Sequence, residues 1–107
     1  MQHTRLLIVE DDSIFLNALV WQLSKMGYDR MNIMSVASIA EAAEIASEFV
    51  PDVILLDLNI TDSHGVETYN SIIKLYANSA VVILSGMNDE DLALDIVKKG
   101  AQDYLLK

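Results

Sequence analysis

Apolar residues follow two rhythms along this chain. Leu6-Leu7-Ile8-Val9, Val53-Ile54-Leu55-Leu56 and Ala80-Val81-Val82-Ile83-Leu84 are short unbroken runs rich in Val, Ile and Leu, whereas the stretches between them carry apolar residues at helical spacing. Such runs indicate buried parallel strands in βα units, because an antiparallel sheet with one wet face would alternate apolar and polar positions. Strands are expected over residues 5–9, 53–56, 80–84 and 104–106, with a weaker candidate over 32–36.

Ile14, Phe15, Ala18, Leu19, Gln22, Leu23 and Met26 mark a first helix, capped by Asp12 or Ser13 and ending near Gly27. Ser38-Ile39-Ala40-Glu41 reads as a capping box opening a second helix through Ala42, Ala43, Ile45, Ala46 and Phe49, which Pro51 closes. A polar loop over 59–65 leads into a third helix with its stripe at Val66, Tyr69, Ile72, Ile73 and Tyr76. Asn88 or Asp89 caps a fourth, which carries Leu92, Ala93, Ile96 and Val97 and stops at Gly100.

The order βαβαβαβαβ winds helices onto both faces of one sheet, since each crossover is right-handed. The fold class is therefore α/β, a doubly wound five-stranded parallel sheet. No helical pattern follows the last strand, so a sheet face built from residues 104–106 and their neighbours is expected to lack its cover. The expected domain is residues 1–107, truncated before its last helix. Open apolar surface rarely persists in a monomer, so the chain by itself is expected to self-associate through that face or to be marginally stable.

Four of the five expected strands also end in a polar residue. The first runs into Glu10-Asp11-Asp12, the next apolar run into Asp57, then come Ser85 and Lys107. The carboxyl ends of parallel strands lie along one edge, where ligands bind in open α/β folds. If the strands before Glu10 and Asp57 are neighbours, about 4.8 Å apart, Glu10, Asp11 and Asp57 crowd together, and either a carboxyl pKa rises or a cation enters. Hard oxygen ligands without Cys or His favour Mg²⁺. A carboxylate beside Mg²⁺ and an ammonium group is placed to attack phosphorus, with a hydroxyl nearby to donate to a phosphoryl oxygen.

Composition narrows the field. At 107 residues with 52% hydrophobic content the chain is one folded domain. The absence of cysteine excludes disulfides, thiolate nucleophiles and cysteine-ligated zinc. A net charge of −9 argues against direct nucleic-acid binding, which rests on Lys and Arg neutralising phosphates. Most of the acids read as solvated surface. No apolar run approaches the roughly 18 residues of a membrane span, and no signal-peptide pattern opens the chain, so the cytoplasm is the expected location. His3 and His64 read as solvated surface, and Trp21 as helix packing or partly exposed surface.

The constellation closely resembles a response-regulator receiver domain of two-component signalling. Leu6-Leu7-Ile8-Val9-Glu10-Asp11-Asp12 resembles that family's first strand and acidic pair, and Pro51-Asp52-Val53-Ile54-Leu55-Leu56-Asp57-Leu58-Asn59 its phosphoacceptor strand. Ser85-Gly86 stands where the family has Thr or Ser before a small residue, and Gly100-Ala101-Gln102-Asp103-Tyr104-Leu105-Leu106-Lys107 resembles the segment ending in its lysine. The resemblance implies a flavodoxin-like strand order 2-1-3-4-5 and phosphorylation of Asp57 by a sensor histidine kinase or phosphotransfer protein. It implies Mg²⁺ bound by Asp11 and Asp57, by Glu10 through water and by the Asn59 backbone carbonyl. Ser85 and Lys107 would contact the phosphoryl group, and Ser85 and Tyr104 would switch. An output domain beyond Lys107 is expected. Two departures are Thr61, where many members have proline, and the third acid Asp12, which reads as a helix cap.

Two other readings remain. Asp57-Leu58-Asn59-Ile60-Thr61 resembles the nucleophile motif of haloacid-dehalogenase-type phosphatases, but Asn59 stands where those enzymes need an Asp for proton transfer. A receiver-like module that is never phosphorylated is disfavoured because every expected site residue is present.

Overall fold

The computed structural model describes residues 3–107. Parallel strands β1 (Leu6–Val9), β2 (Ile33–Val36), β3 (Val53–Asp57), β6 (Ala80–Ser85) and β7 (Asp103–Leu106) form the main sheet. Its order is β2-β1-β3-β6-β7, with a separate two-stranded ladder made by β4 (Asn59–Ile60) and β5 (Ser63–His64). With that ladder set aside, the order is the expected 2-1-3-4-5. Every residue of β1 is buried, as the unbroken apolar run requires of a central strand covered on both sides.

Helices α1 (Ser13–Lys25), α2 (Ile39–Ile45), α3 (Val66–Leu75) and α4 (Glu90–Lys99) divide unequally between the two faces. Side chains alternate along a strand, so Leu7 and Val9 pack with Ile54, Leu56, Val81 and Ile83 under Ala42 of α2, Ile72 of α3 and Ile96 of α4. Ile8, Leu55 and Leu84 point the other way and, among the described residues, meet α1 through Phe15, Leu16, Leu19, Val20 and Leu23, with the strand residues Ile33, Val53 and Val82 beside them. Beside α1 lies a groove of about 370 Å³ whose lining includes Leu19, Leu23, Leu55, Val82 and Leu105. The uncovered face is thus present, but Tyr104 is not part of it. Tyr104 packs into the three-helix core, whereas Leu105, one residue on, lines the groove.

Several local expectations are corrected. Ile14 is 83% exposed and Ala18, Gln22 and Met26 are also exposed, because α1 turns Phe15, Leu19 and Leu23 to the sheet and leaves the rest of the expected stripe to solvent. Helix α2 stops at Ile45, well before Pro51, although buried Phe49 still donates its N–H to the Ile45 carbonyl at 2.9 Å. The polar stretch 59–65 is ordered as the β4–β5 ladder. The capping box holds in altered form: Ser38 Oγ accepts from Glu41 N at 3.1 Å, while Glu41 Oε1 accepts from Ala37 N at 3.2 Å. Gly65, at φ 65°, and Gly100, at φ 137°, bound α3 and α4 in a region that favours glycine.

Candidate functional site

Strand register builds the site. Val9 pairs with Leu56, so Glu10 and Asp57, each one step further on, stand side by side where the strands end. Asp57 pairs with Leu84 and Ser85 with Leu106, which brings Lys107 to the same edge. The Lys107 N–H donates to the Ser85 carbonyl at 2.8 Å. Its ammonium lies 2.7 Å from Glu10 Oε1 and donates to Asp57 Oδ2 at 3.2 Å. It also stands 4.8 Å from the centre of the Phe15 ring, whose face favours a cation.

Glu10 is 2% exposed and Asp57 7%, whereas Asp11 is open to solvent. Carboxylate oxygens of these three acids lie within 4.8 Å of one another. An all-oxygen donor set of this size suits a hard cation such as Mg²⁺. Asp12 serves the helix, its Oδ1 accepting from Ile14 N at 3.0 Å and Phe15 N at 3.2 Å. Its own N–H donates to Glu10 Oε2 at 3.2 Å, so the cap also orients a site carboxylate.

Asn59 donates its backbone N–H to Asp57 Oδ1 at 3.1 Å and its side-chain amide to Asp89 Oδ2 at 3.2 Å. Asp89 occupies the N-cap position of α4 but caps nothing with its side chain; it ties the loop after β6 to β4 instead. Ser85 is buried at the end of β6, and its hydroxyl donates to the Gly86 carbonyl at 3.0 Å. In this state its proton is committed to backbone. Tyr104 sits half-buried on β7. In the sequence Thr61 stands out as a departure from one family pattern and as the end of a phosphatase-like motif, while Asp62 and the Phe15 ring carry no local signal of a role at the site. Only a fold reveals that Thr61 reaches Asp11, that Asp62 reaches α2, and that Phe15 lies under Lys107.

Burial pushes the Glu10 carboxyl up to about 7, with its hydrogen bond to Asp57 acting in the same direction and the bond to Lys107 opposing it. Burial alone would lower the Lys107 ammonium, but its hydrogen bond to Glu10 and the charge of Asp57 outweigh that and hold it above its ordinary value. As pH rises from Glu10's ordinary 4.5 to about 7, the folded state keeps a proton that the unfolded chain has released, so stability is lost across that window. The stabilisation from Lys107 is present below its ordinary value and disappears only as pH rises through the higher folded value. Near neutrality Glu10 therefore dominates. In buffer without divalent cations, wild type should lose on the order of 1–3 kcal/mol relative to Glu10→Gln between about pH 5 and pH 8. Denaturant midpoints measure this, and parallel profiles for the two proteins would contradict it.

Acids and a lysine gathered at the carboxyl edge, where the strand order reverses between β1 and β3, define a doubly wound domain with its site at the topological switch point. The chain belongs to the response regulator receiver domain family, whose sequence pattern matches residues 6–107. It is 26% identical to the chemotaxis protein CheY of Thermotoga maritima over 103 residues, covering 96% of this chain and 84% of that protein. It is 31% identical to the nitrate/nitrite response regulator NarL of Escherichia coli K12 over 106 residues, covering 99% of this chain and 49% of NarL. The chain thus spans about half of that relative's length. Among solved structures, the N-terminal signal receiver domain of a Bacteroides fragilis response regulator superimposes with a TM-score of 0.84 at 29% identity, covering 97% of this chain and 84% of that one. Receiver domains are regulatory phosphoacceptor domains, and membership of the family implies a phosphorylation-dependent switch.

Proposed function

We propose that Asp57 is the phosphoacceptor, charged by a sensor histidine kinase or phosphotransfer protein with Mg²⁺ bound in the acidic pocket. The supporting observation is the Lys107 ammonium lodged between Glu10 and Asp57 beside a third carboxylate, Asp11. Asp11 and Asp57 would hold the ion directly, Glu10 through water and Asn59 by its backbone carbonyl. Mg²⁺ supplies neutralisation of negative charge on the attacking carboxylate and the phosphoryl oxygens. An Asp57 oxygen attacks phosphorus as the donor's N–P bond breaks, and the imidazole nitrogen leaves with the electron pair. Lys107 then pairs with a phosphoryl oxygen, and Ser85 exchanges the Gly86 carbonyl for another. Movement of Ser85 lets Tyr104 turn further inward, which remodels the surface of α4 and β7. Charge at Asp57 biases this two-state equilibrium because its contacts differ between the states.

The domain acts in the cytoplasm ahead of an output domain beyond Lys107, and catalyses its own phosphorylation from small donors. No helix among the described residues is long and apolar enough to cross a membrane. Asp11→Asn should weaken Mg²⁺ binding about 10-fold or more and suppress labelling by phosphoramidate, since it removes a charged ligand from the site. Asp12→Asn should do far less. Calorimetric titration decides, and the reverse ranking would overturn the assignment of the acidic pair.

The groove beside α1 is proposed to receive an amphipathic helix following β7. A chain extended by such a helix, about 15 residues with its turn, should melt higher and sediment as a monomer. Equal melting of the two forms would show that the cover is not needed.

A further inference from the structure

Of the three clustered acids, Asp11 alone is solvent-exposed. Mutual repulsion with Glu10 and Asp57 favours its swinging outward. One contact opposes this: the Thr61 hydroxyl donates to Asp11 Oδ2 at 3.1 Å. Thr61 lies in the turn between β4 and β5, and that turn is braced from three sides. Asp62 accepts from Ile39 N at 2.9 Å and from Ala40 N at 3.1 Å, capping the start of α2 from outside the helix. Thr68 on α3 donates to the Leu58 carbonyl at 2.9 Å and shares a 2.8 Å hydrogen bond with Ser63 Oγ. The Gly65 N–H closes onto the same Leu58 carbonyl at 2.8 Å.

We propose that Thr61 is a positioning residue for the metal site: its hydroxyl holds the Asp11 carboxylate in the cluster, and the Asp62 cap on α2 holds Thr61 in place. Groups that orient a metal ligand from behind change affinity without touching the ion. The chain Asp11–Thr61–Asp62–α2 also links the state of the cation site to the N-terminus of a helix on the sheet's covered face. This inference rests on Asp11 being a metal ligand.

Thr61→Val keeps the shape and removes the hydroxyl, while Thr61→Ser keeps the hydroxyl. Mg²⁺ titration by calorimetry should show about 10-fold weaker binding for Val and wild-type binding within about twofold for Ser. Asp62→Ala should weaken binding in the wild-type background and add little to Thr61→Val, because it acts through Thr61. In the metal-free protein the carboxyl-carbon NMR signal of Asp11 should shift in Thr61→Val and stay in place in Thr61→Ser. Unchanged Mg²⁺ affinity and an unmoved Asp11 signal in Thr61→Val would overturn the positioning role. A wild type that binds no Mg²⁺, with the Asp11 signal still moving in Thr61→Val, would instead overturn the metal reading. Loss of affinity in Thr61→Ser equal to that in Thr61→Val would show that the turn's shape matters and not its hydroxyl.

Discussion

Asp57→Asn is expected to abolish phosphoryl incorporation from acetyl phosphate or phosphoramidate in the presence of Mg²⁺, with wild type gaining a single phosphoryl group. Two oxygens of Asp57 already have assigned partners, Oδ1 with Asn59 N and Oδ2 with Lys107. The variant retains the size of the side chain and one acceptor but loses the anionic nucleophile. Its fold should survive, since Asn also lowers the negative charge crowded against Glu10. Intact-mass measurement of both proteins checks the assignment, and equal labelling of the variant would remove Asp57 from the centre of the mechanism.

Lys107→Ala should have the second largest effect, visible without any donor. Removing the ammonium leaves Glu10 and Asp57 facing each other without a cation. Breaking a fully buried pair from one side costs about 3–5 kcal/mol, and because the Lys107 side chain keeps 24% exposure a loss on the order of 2 kcal/mol is expected at neutral pH. The loss should shrink toward about pH 5, where Glu10 holds its proton, and should shrink again when Mg²⁺ is added. Denaturant unfolding under those conditions gives the comparison. Beryllofluoride, a phosphoryl mimic, should shift amide signals around Tyr104 in wild type and much less in Lys107→Ala. A variant as stable as wild type with full-sized shifts would count against Lys107 as the coupling cation.

The strands were legible because a central parallel strand has no wet face, so Leu6–Val9 and residues 53–56 carry no polar interruption. Caps were legible for a similar reason: Asp12 and Ser38 act on N–H groups two or three residues away, well within what sequence displays. Expectations went astray where the competing partner was distant in sequence. Asp89 reads as a cap for α4, yet its carboxylate is taken by Asn59, thirty residues earlier. The stretch 59–65 reads as loop, yet Asn59 pairs with His64 and Ile60 with Ser63. Tyr104 reads as part of the open face with Leu105, yet alternation across the pleat separates them.

By itself the sequence determined the kinds of element, their order and the polar residues that end the strands, because periodicity, capping and chain breaks are local properties of covalent neighbours. Tertiary structure alone decided what those residues do to one another. Register set Glu10 beside Asp57 and carried Lys107 to 2.7 Å from Glu10 across most of the chain's length. Burial then pushed the Glu10 carboxyl up to about 7, and the turn at Thr61 came to rest on Asp11. Coulombic and desolvation energies depend on distances through space and on exclusion of water, and neither quantity exists until the sheet has closed.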